Sequence, residues 1–100
     1  MIKIDQIGIG TMSKVSLEGR LDDGSAPQLE QYFKENLNGI TELVIDTAKL
    51  EYISCDGLRV FLSALKTMDR QGGIMIIENV YGEVKEMIDS NGFSNIFTIK

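Results

Sequence analysis

The sequence predicts an α/β fold in a single domain that spans residues 1–100. Two short apolar runs, Leu43–Ile45 and Ile74–Ile77, are typical of buried strands. Between them, apolar residues recur at helical spacing, which predicts a helix from about Asp56 to Gln71. Because a strand, a helix and a strand in this order usually form a right-handed crossover, we expect two adjacent parallel strands in the sheet interior, covered by that helix.

The amino-terminal part of the chain predicts an antiparallel hairpin. The isoleucines of Ile2–Ile9 change phase in the middle of the run, which indicates an irregular, bulged first strand. Gly10–Ser13 is typical of a hairpin connection. Val15 and Leu17 then alternate with polar residues, which predicts a second, half-buried strand.

The first helix is predicted after a turn over Asp22–Gly24. Ser25 is expected to cap it, with Pro27 in the first turn and Gln28 at the spacing of a capping box. Its expected buried stripe is Leu29, Phe33 and Leu37, with Tyr32 at the margin.

The second half of the chain continues the alternation of strands and helices. The two apolar runs are expected to be covered on both faces of the sheet, and the helix between them to stop at Gly72–Gly73. A short third helix is predicted to end at Asn91–Gly92, and Ile96–Ile99 is predicted to be a short last strand or an extended tail. The predicted stripe of the central helix is Leu58, Phe61, Leu62, Leu65 and Met68, and that of the third helix is Val84, Met87 and Ile88.

The composition excludes several classes of function. The absence of histidine removes histidine bases, histidine triads and histidine metal ligands. The net charge of −5 argues against a nucleic-acid-binding protein, which needs a basic face. Neither a signal peptide over Met1–Thr11 nor a membrane-spanning segment is expected, and the single cysteine suits a reducing cytoplasm. We therefore expect a cytoplasmic protein without catalytic residues, metal or other cofactor.

The most informative segment is the turn Ser54–Gly57, which lies between the predicted strand at Leu43–Ile45 and the start of the central helix. Unpaired backbone N–H groups and the helix dipole favour negative charge at such a position, so it would suit a regulatory phosphate. Ser54 offers a hydroxyl group, whereas Cys55 offers a thiol. Without a histidine base or a second cysteine, a space-filling role for Cys55 is favoured over a catalytic thiol.

The residues around this turn allow structural and functional interpretations. Asp56 is favourable in the first helical turn and could also supply a permanent negative charge. Gly57 allows close approach of a partner or of a neighbouring loop. Arg59 lies on the polar side of the helix, as a surface residue or an anchor. Asp46 is expected at the end of its strand. There it either binds nearby backbone N–H groups or lines a functional site at the carboxyl edge of the sheet, as in many α/β folds.

These segments resemble the signature of the STAS domain, the domain of bacterial anti-sigma factor antagonists that also occurs in sulfate transporters. The resemblance rests on Asp46 at a strand end, on Leu50–Ile53 and on Ser54–Arg59, and it extends to Gly19–Asp22 and Gly72–Gly73. It covers almost the whole chain. The family pattern implies a mixed sheet of four to five strands with three to four helices mainly on one face.

The resemblance also implies a mechanism, namely partner switching. An unphosphorylated antagonist binds an anti-sigma factor that is also a serine kinase, and this binding frees a sigma factor. Phosphorylation of a serine at the start of the second helix ends the interaction, and a serine phosphatase reverses it. By this likeness the partner-binding residues are Asp22, Asp23, Ser54, Asp56, Gly57 and Arg59.

The sequence departs from the family pattern at the phosphorylated position, where Cys55 stands. We expect no phosphate on Cys55, and none on Ser54, one residue earlier. A monomer or weak dimer that binds an anti-sigma factor is the first hypothesis. The alternatives are a STAS subunit that docks on a transporter ATPase without phosphorylation, and a redox-sensing thiol, which lacks a partner cysteine.

Overall fold

The structure is a computed structural model that describes residues 2–100. It contains five strands, three α-helices and one short 3-10 helix over Phe93–Asn95. The strands are β1 (Ile2–Ile9), β2 (Met12–Leu21), β3 (Glu42–Ile53), β4 (Ile74–Glu78) and β5 (Thr98–Ile99), and the helices are α1 (Ala26–Asn36), α2 (Cys55–Arg70) and α3 (Gly82–Ser90). Within the described residues no helix is both long enough and apolar enough to cross a bilayer.

The strands form one mixed sheet in the order β1-β2-β3-β4-β5. β1 is antiparallel to β2, whereas the other neighbouring pairs are parallel. Leu43 lies opposite Met75 and Ile45 lies opposite Ile77, so the predicted parallel interior pair is confirmed. The α/β fold class with a mixed sheet of five strands is confirmed with it.

The hairpin forms as predicted, but the expected bulge in β1 is wrong. β1 pairs with β2 in continuous register from Ile2 opposite Gly19 to Ile9 opposite Met12. The phase change among the isoleucines has another cause: Ile2 is buried on the helix-covered face, whereas Ile7 projects from the other face. The register shifts lie between β2 and β3 instead, next to Gly19.

The central helix packs on a face rotated slightly from the predicted one. Leu58, Phe61 and Met68 are buried as expected, whereas Leu62 and Leu65 are only partly buried. The buried face also includes Val60 and Ala64, both of which the prediction omitted. The helix ends as predicted, because Gly72 takes a φ of 73° and Gly73 donates its backbone N–H to the carbonyl oxygen of Met68 at 2.8 Å.

The expectation that the apolar runs are covered on both faces is wrong. Leu43, Ile45, Met75 and Ile77 are buried on the helix-covered face. The alternate residues Val44 and Ile76 are only half-buried, and Ile74 is 55% exposed. One face of the sheet therefore has no layer over it within the described residues, and we call it the open face.

Candidate functional site

The first feature of the site is the buried serine that precedes α2. The Ser54 Oγ accepts a hydrogen bond from the backbone N–H of Gly57 at 3.1 Å, and the Ser54 backbone N–H donates to the carbonyl oxygen of Leu21 at 2.8 Å. Ser54 is only 7% exposed. It therefore caps α2 and also joins the helix start to the end of β2.

Cys55 lies one residue later and has the opposite environment. It is the first residue of α2 and is exposed to solvent. The space-filling role predicted for Cys55 is therefore wrong: the segment presents the thiol at its surface, while the hydroxyl group of Ser54 is buried in the helix cap. Since Cys55 is the only cysteine in the sequence, an intramolecular disulfide cannot form.

Gly57 brings the backbone of α2 close to β2 and β3. A Cβ atom at this position would lie 2.8 Å from the Cγ1 of Ile53 and 2.9 Å from the Cγ of Leu21. Both distances are shorter than an ordinary carbon–carbon contact. Gly57 is itself buried, so its contribution to the site is the close packing that positions its exposed neighbours.

The turn before α1 is organised by Asp22. Its Oδ1 accepts hydrogen bonds from the backbone N–H groups of Gly24 and Ser25, each at 3.1 Å. The backbone and side-chain hydrogen bonds from Ser25 lower the pKa of the Asp22 carboxyl group below its ordinary value. Asp22 is therefore a structural residue of this turn as well as a candidate contact residue.

The capping box predicted for α1 is wrong. The Ser25 hydroxyl group makes no capping bond to the helix; its Oγ lies 2.8 Å from the carbonyl oxygen of Arg20, to which it donates, and it accepts from the backbone N–H of Asp22. The Gln28 amide instead reaches the carbonyl oxygen of Ile2 at 3.4 Å. These contacts attach the turn and the helix to the sheet.

Three charged residues extend from this frame. Asp23 is exposed in the turn before α1. Asp56 lies in the first turn of α2, and its Oδ1 is 3.2 Å from the Nη1 of Arg59. The Arg59 side chain is 79% exposed, so this ion pair contributes little to stability and leaves both groups available to a partner.

The structure brings the two predicted segments together. The hydrogen bond from Ser54 to Leu21 places the start of α2 beside the turn that begins at Asp22. Next to it, a cleft of about 250 Å³ separates the starts of α1 and α2. The cleft is lined by Ala26, Pro27, Glu30, Asp56, Arg59 and Val60. Pro27, Glu30 and Val60 were not among the predicted site residues, because only the packing of the two helices reveals that they face this cleft.

Asp46 does not belong to this group. It lies within β3, which continues to Ile53, and its Oδ1 accepts from the backbone N–H of Ala48 at 3.0 Å and from the Asn79 amide at 2.9 Å. Burial alone would raise the pKa of Asp46, but these hydrogen bonds and the charges of Lys14 and Lys49 outweigh it and lower the pKa. The prediction that Asp46 binds a nearby backbone N–H group is confirmed. The prediction that it lies at the end of its strand is wrong.

The titratable groups of the site are few and spaced apart from other potential ligands. Among residues 2–100 no cluster of three or more potential ligands could hold a metal ion. Cys55 has no histidine base, since the sequence contains none. The site is a group of one thiol and three charged side chains at the surface of a closely packed frame.

Comparison with known proteins identifies relatives of the whole chain. The sequence model of the STAS domain matches residues 3–100. The chain is 29% identical over 99 residues to BtrV of Bordetella bronchiseptica, named as an anti-sigma factor antagonist, covering 98% of this chain and 85% of BtrV. It is 28% identical over 86 residues to the anti-sigma-B factor antagonist of Bacillus subtilis, covering 86% and 79% of the two chains.

The fold has a close counterpart among solved structures. The crystal structure of an anti-sigma factor antagonist from Mycobacterium paratuberculosis superposes with a TM-score of 0.88 at 22% sequence identity. The match covers 99% of this chain and 85% of the other.

Proposed function

The chain belongs to the STAS domain family, and on that premise we propose that it acts as an anti-sigma factor antagonist. Its candidate site binds an anti-sigma factor that is also a serine kinase, and this binding releases a sigma factor. The observation that carries the proposal is the group of exposed side chains Asp23, Cys55, Asp56 and Arg59 on one buried frame. The likeness to two antagonists over most of the chain supports it.

The proposal includes a change at the regulatory position. In the family pattern a serine follows the residue that corresponds to Ser54, whereas this chain has Cys55 there. A serine kinase transfers phosphate to a hydroxyl group, and Ser54 holds its hydroxyl group in the cap of α2 at 7% exposure. The chain therefore remains able to bind its partner when such a kinase is active.

Electrostatics explains why phosphate at this position would end binding in a switching relative. A phosphate adds about −1.5 to −2 charges, and here it would lie next to the Asp56 carboxylate. A partner surface that fits the unmodified site would have to desolvate this added charge or meet it with like charge, at a cost of several kcal/mol, which is enough to release the partner. With Cys55 this charge is not added, and the −1 of Asp56 is permanent.

The test is the affinity for a serine-kinase anti-sigma factor from the same organism, measured by isothermal titration calorimetry. Arg59→Ala and Asp23→Asn should each weaken binding, Arg59→Ala by about tenfold or more if it is a central contact. Arg70→Ala and Asp69→Asn are the matched controls, because these exposed residues lie at the opposite end of α2. They should leave the affinity unchanged.

Two results would contradict the proposal. One is unmeasurable binding of the unmodified chain to the anti-sigma factor. The other is an equal loss of affinity in the Arg70→Ala control, which would place the contact elsewhere on α2. Unmeasurable binding would support the second candidate, namely a subunit that docks on a transporter ATPase. The observation favouring that candidate is the same thiol, since a constitutive subunit has no need of a phosphate acceptor.

A further inference from the structure

The open face of the sheet carries three exposed isoleucines, a feature that the proposed function does not use. Ile7 is 66% exposed, Ile9 is 75% exposed and Ile74 is 55% exposed. The burial pattern of β1 and β4 places their side chains on the face opposite the helices. A group of large apolar side chains on one surface is characteristic of an interaction site.

The strand register shows that these residues form one patch. Ile9 lies opposite Met12, which pairs with Glu42, which pairs with Ile74. In the next row the order is Ile7, Lys14, Val44 and Ile76. We call the apolar members of these two rows the open-face patch: Ile7, Ile9, Met12, Val44, Ile74 and Ile76. The patch extends about 14 Å across four strands that are about 4.8 Å apart.

The patch is separate from the candidate site. It lies at the beginning of β2, β3 and β4, whereas the site lies where β2 and β3 end, at Leu21 and Ile53. It also lies on the opposite side of the sheet from the helices. A partner could therefore occupy the patch without touching α2.

The charges nearest to the patch are mostly negative. Glu42 lies within the first row, and the row beyond Lys14 contains Asp5, Asp46 and Glu78. The one cation within the patch, Lys14, is already 3.5 Å from the Glu78 carboxylate. Lys3 and Lys49 lie farther along the strands, on either side of Glu18 in the register, and Lys100 follows β5.

This charge pattern selects among the occupants of an apolar surface. A second copy would bring the same carboxylates against themselves, and an anionic membrane surface would be repelled by them. A segment that carries lysine or arginine beside its apolar side chains would be attracted. The surrounding charge therefore favours a basic partner protein.

The backbone of the sheet further restricts the shape of that partner. At the patch, β2 and β3 are each paired on both sides, and β4 is paired with β3 along its length and with β5 at Ile76 and Ile77, so most of their backbone N–H and C=O groups already have partners in the sheet. An extended peptide lying over this face would lose water from its own backbone without gaining replacement hydrogen bonds. An α-helix satisfies its backbone internally and has a diameter of about 10 Å, which matches a patch of two rows.

We propose that the open-face patch binds a basic amphipathic helix of a partner protein. The apolar face of that helix covers Ile7, Ile9 and Ile74, and its lysine or arginine residues lie against Asp5 and Glu42. This inference is independent of the function proposed for the start of α2. If it holds, the domain can carry two partners at once, one on each side of its sheet.

The test uses synthetic peptides of about 18 residues, long enough to form helix in isolation. One peptide has leucines at helical spacing flanked by lysines, and the second has the same leucines flanked by glutamates. Each is titrated into the isotopically labelled protein and followed by amide chemical shifts. We expect saturable binding of the lysine peptide, with the largest shifts in β1 and in the first residues of β2, β3 and β4, and much weaker binding of the glutamate peptide.

Variants separate specific docking from general attraction to an acidic protein. Ile7→Thr combined with Ile74→Thr keeps every charge and should weaken binding of the lysine peptide by roughly tenfold or more. Ile96→Thr is the matched control, because Ile96 is 50% exposed but lies outside the sheet. It should leave the affinity unchanged.

Each other outcome overturns the proposal. Unchanged affinity in the double variant would show that charge alone binds the peptide. Equal binding of the two peptides would remove the basis for a basic partner. Concentration-dependent dimerisation of the unmodified protein that the double variant abolishes would assign the patch to a second copy, and adsorption to anionic vesicles that the double variant abolishes would assign it to a membrane.

Discussion

The start of α2 and the open face of the sheet both present exposed side chains, but the two regions support them differently. At the start of α2, Ser54 and Gly57 are buried and are fixed by a hydrogen bond and by close contacts. Their exposed neighbours Cys55 and Arg59 are thereby held in position at the surface. On the open face, an exposed isoleucine such as Ile7 lies on regular strand backbone with nothing over it among the described residues. The comparison shows that exposed side chains can be held by a closely packed frame or by regular strand backbone.

The two regions should therefore respond differently to substitution. A side chain that fixes the start of α2 cannot be changed without loss of stability, because its neighbours have no room to adjust. A side chain on the open face can be replaced with little effect on stability, since few atoms contact it. Three substitutions test this difference, in order of decreasing expected effect.

The largest effect is expected for Gly57→Ala. The new methyl group would lie within 3.0 Å of atoms of Ile53 and Leu21, so the free energy of unfolding should fall by about 1–3 kcal/mol. Gly24→Ala is the control, because its nearest contact would be 3.5 Å from the Oδ1 of Asp22, an ordinary distance. Urea unfolding measures both, and equal stability of the two variants would contradict the close packing described for α2.

A smaller effect is expected for Ser54→Ala. The substitution removes the acceptor for the Gly57 N–H, and loss of a helix cap typically costs about 1 kcal/mol. Ser16→Ala on the open face provides the comparison between regions, since Ser16 lies on β2 between polar neighbours in the register. Thermal unfolding should show a lower midpoint for Ser54→Ala and nearly no change for Ser16→Ala; the reverse order would show that Ser54 is not a structural cap.

The smallest effect is expected at Asp22 and depends on pH. Hydrogen bonds from Ser25 lower the pKa of the folded carboxyl group below its ordinary value of 3.8. The ionised form therefore stabilises the fold above that value, and this contribution is lost as the pH falls through the lower folded pKa. Asp22→Asn should be less stable than the unmodified chain at pH 7, and the difference should shrink in acid.

The control for this prediction is Asp23→Asn, the exposed neighbour in the same turn. Its stability at pH 7 should match that of the unmodified chain, because the Asp23 side chain is exposed. A pH-independent difference for Asp22→Asn would indicate that the hydrogen bonds do not depend on the charge of the carboxylate. Because Asp22 has this structural role, Asp23 is the better position for testing partner contacts.

The sequence predicts those parts of the fold that depend on local periodicity. The apolar runs at Leu43–Ile45 and Ile74–Ile77 and the helix between them are where the pattern places them. Coverage of both faces could not be predicted from these runs, because apolar residues at Val44 and Ile76 are compatible with burial or with exposure. That distinction depends on whether another layer packs over the sheet.

The candidate site shows a similar limit. Its segments could be found from the turn chemistry of Asp22–Gly24 and from the start of α2, but the partners of each side chain could not. Ser25 has the spacing of a capping box, yet its hydroxyl group bonds to Arg20 and Asp22 because the end of β2 lies within reach. Glu30 faces the cleft only because α1 packs beside α2. Such contacts are tertiary, and sequence spacing does not encode them.

The central claim is that residue 55 occupies the regulatory position while Ser54 is withheld in the helix cap. Mass spectrometry after incubation with the serine-kinase anti-sigma factor and ATP tests it directly, on the unmodified chain and on Cys55→Ser. We predict one phosphate, an increase of about 80 Da, on Cys55→Ser only. Stoichiometric phosphate on Ser54 of the unmodified chain, or none on Cys55→Ser, would contradict the claim.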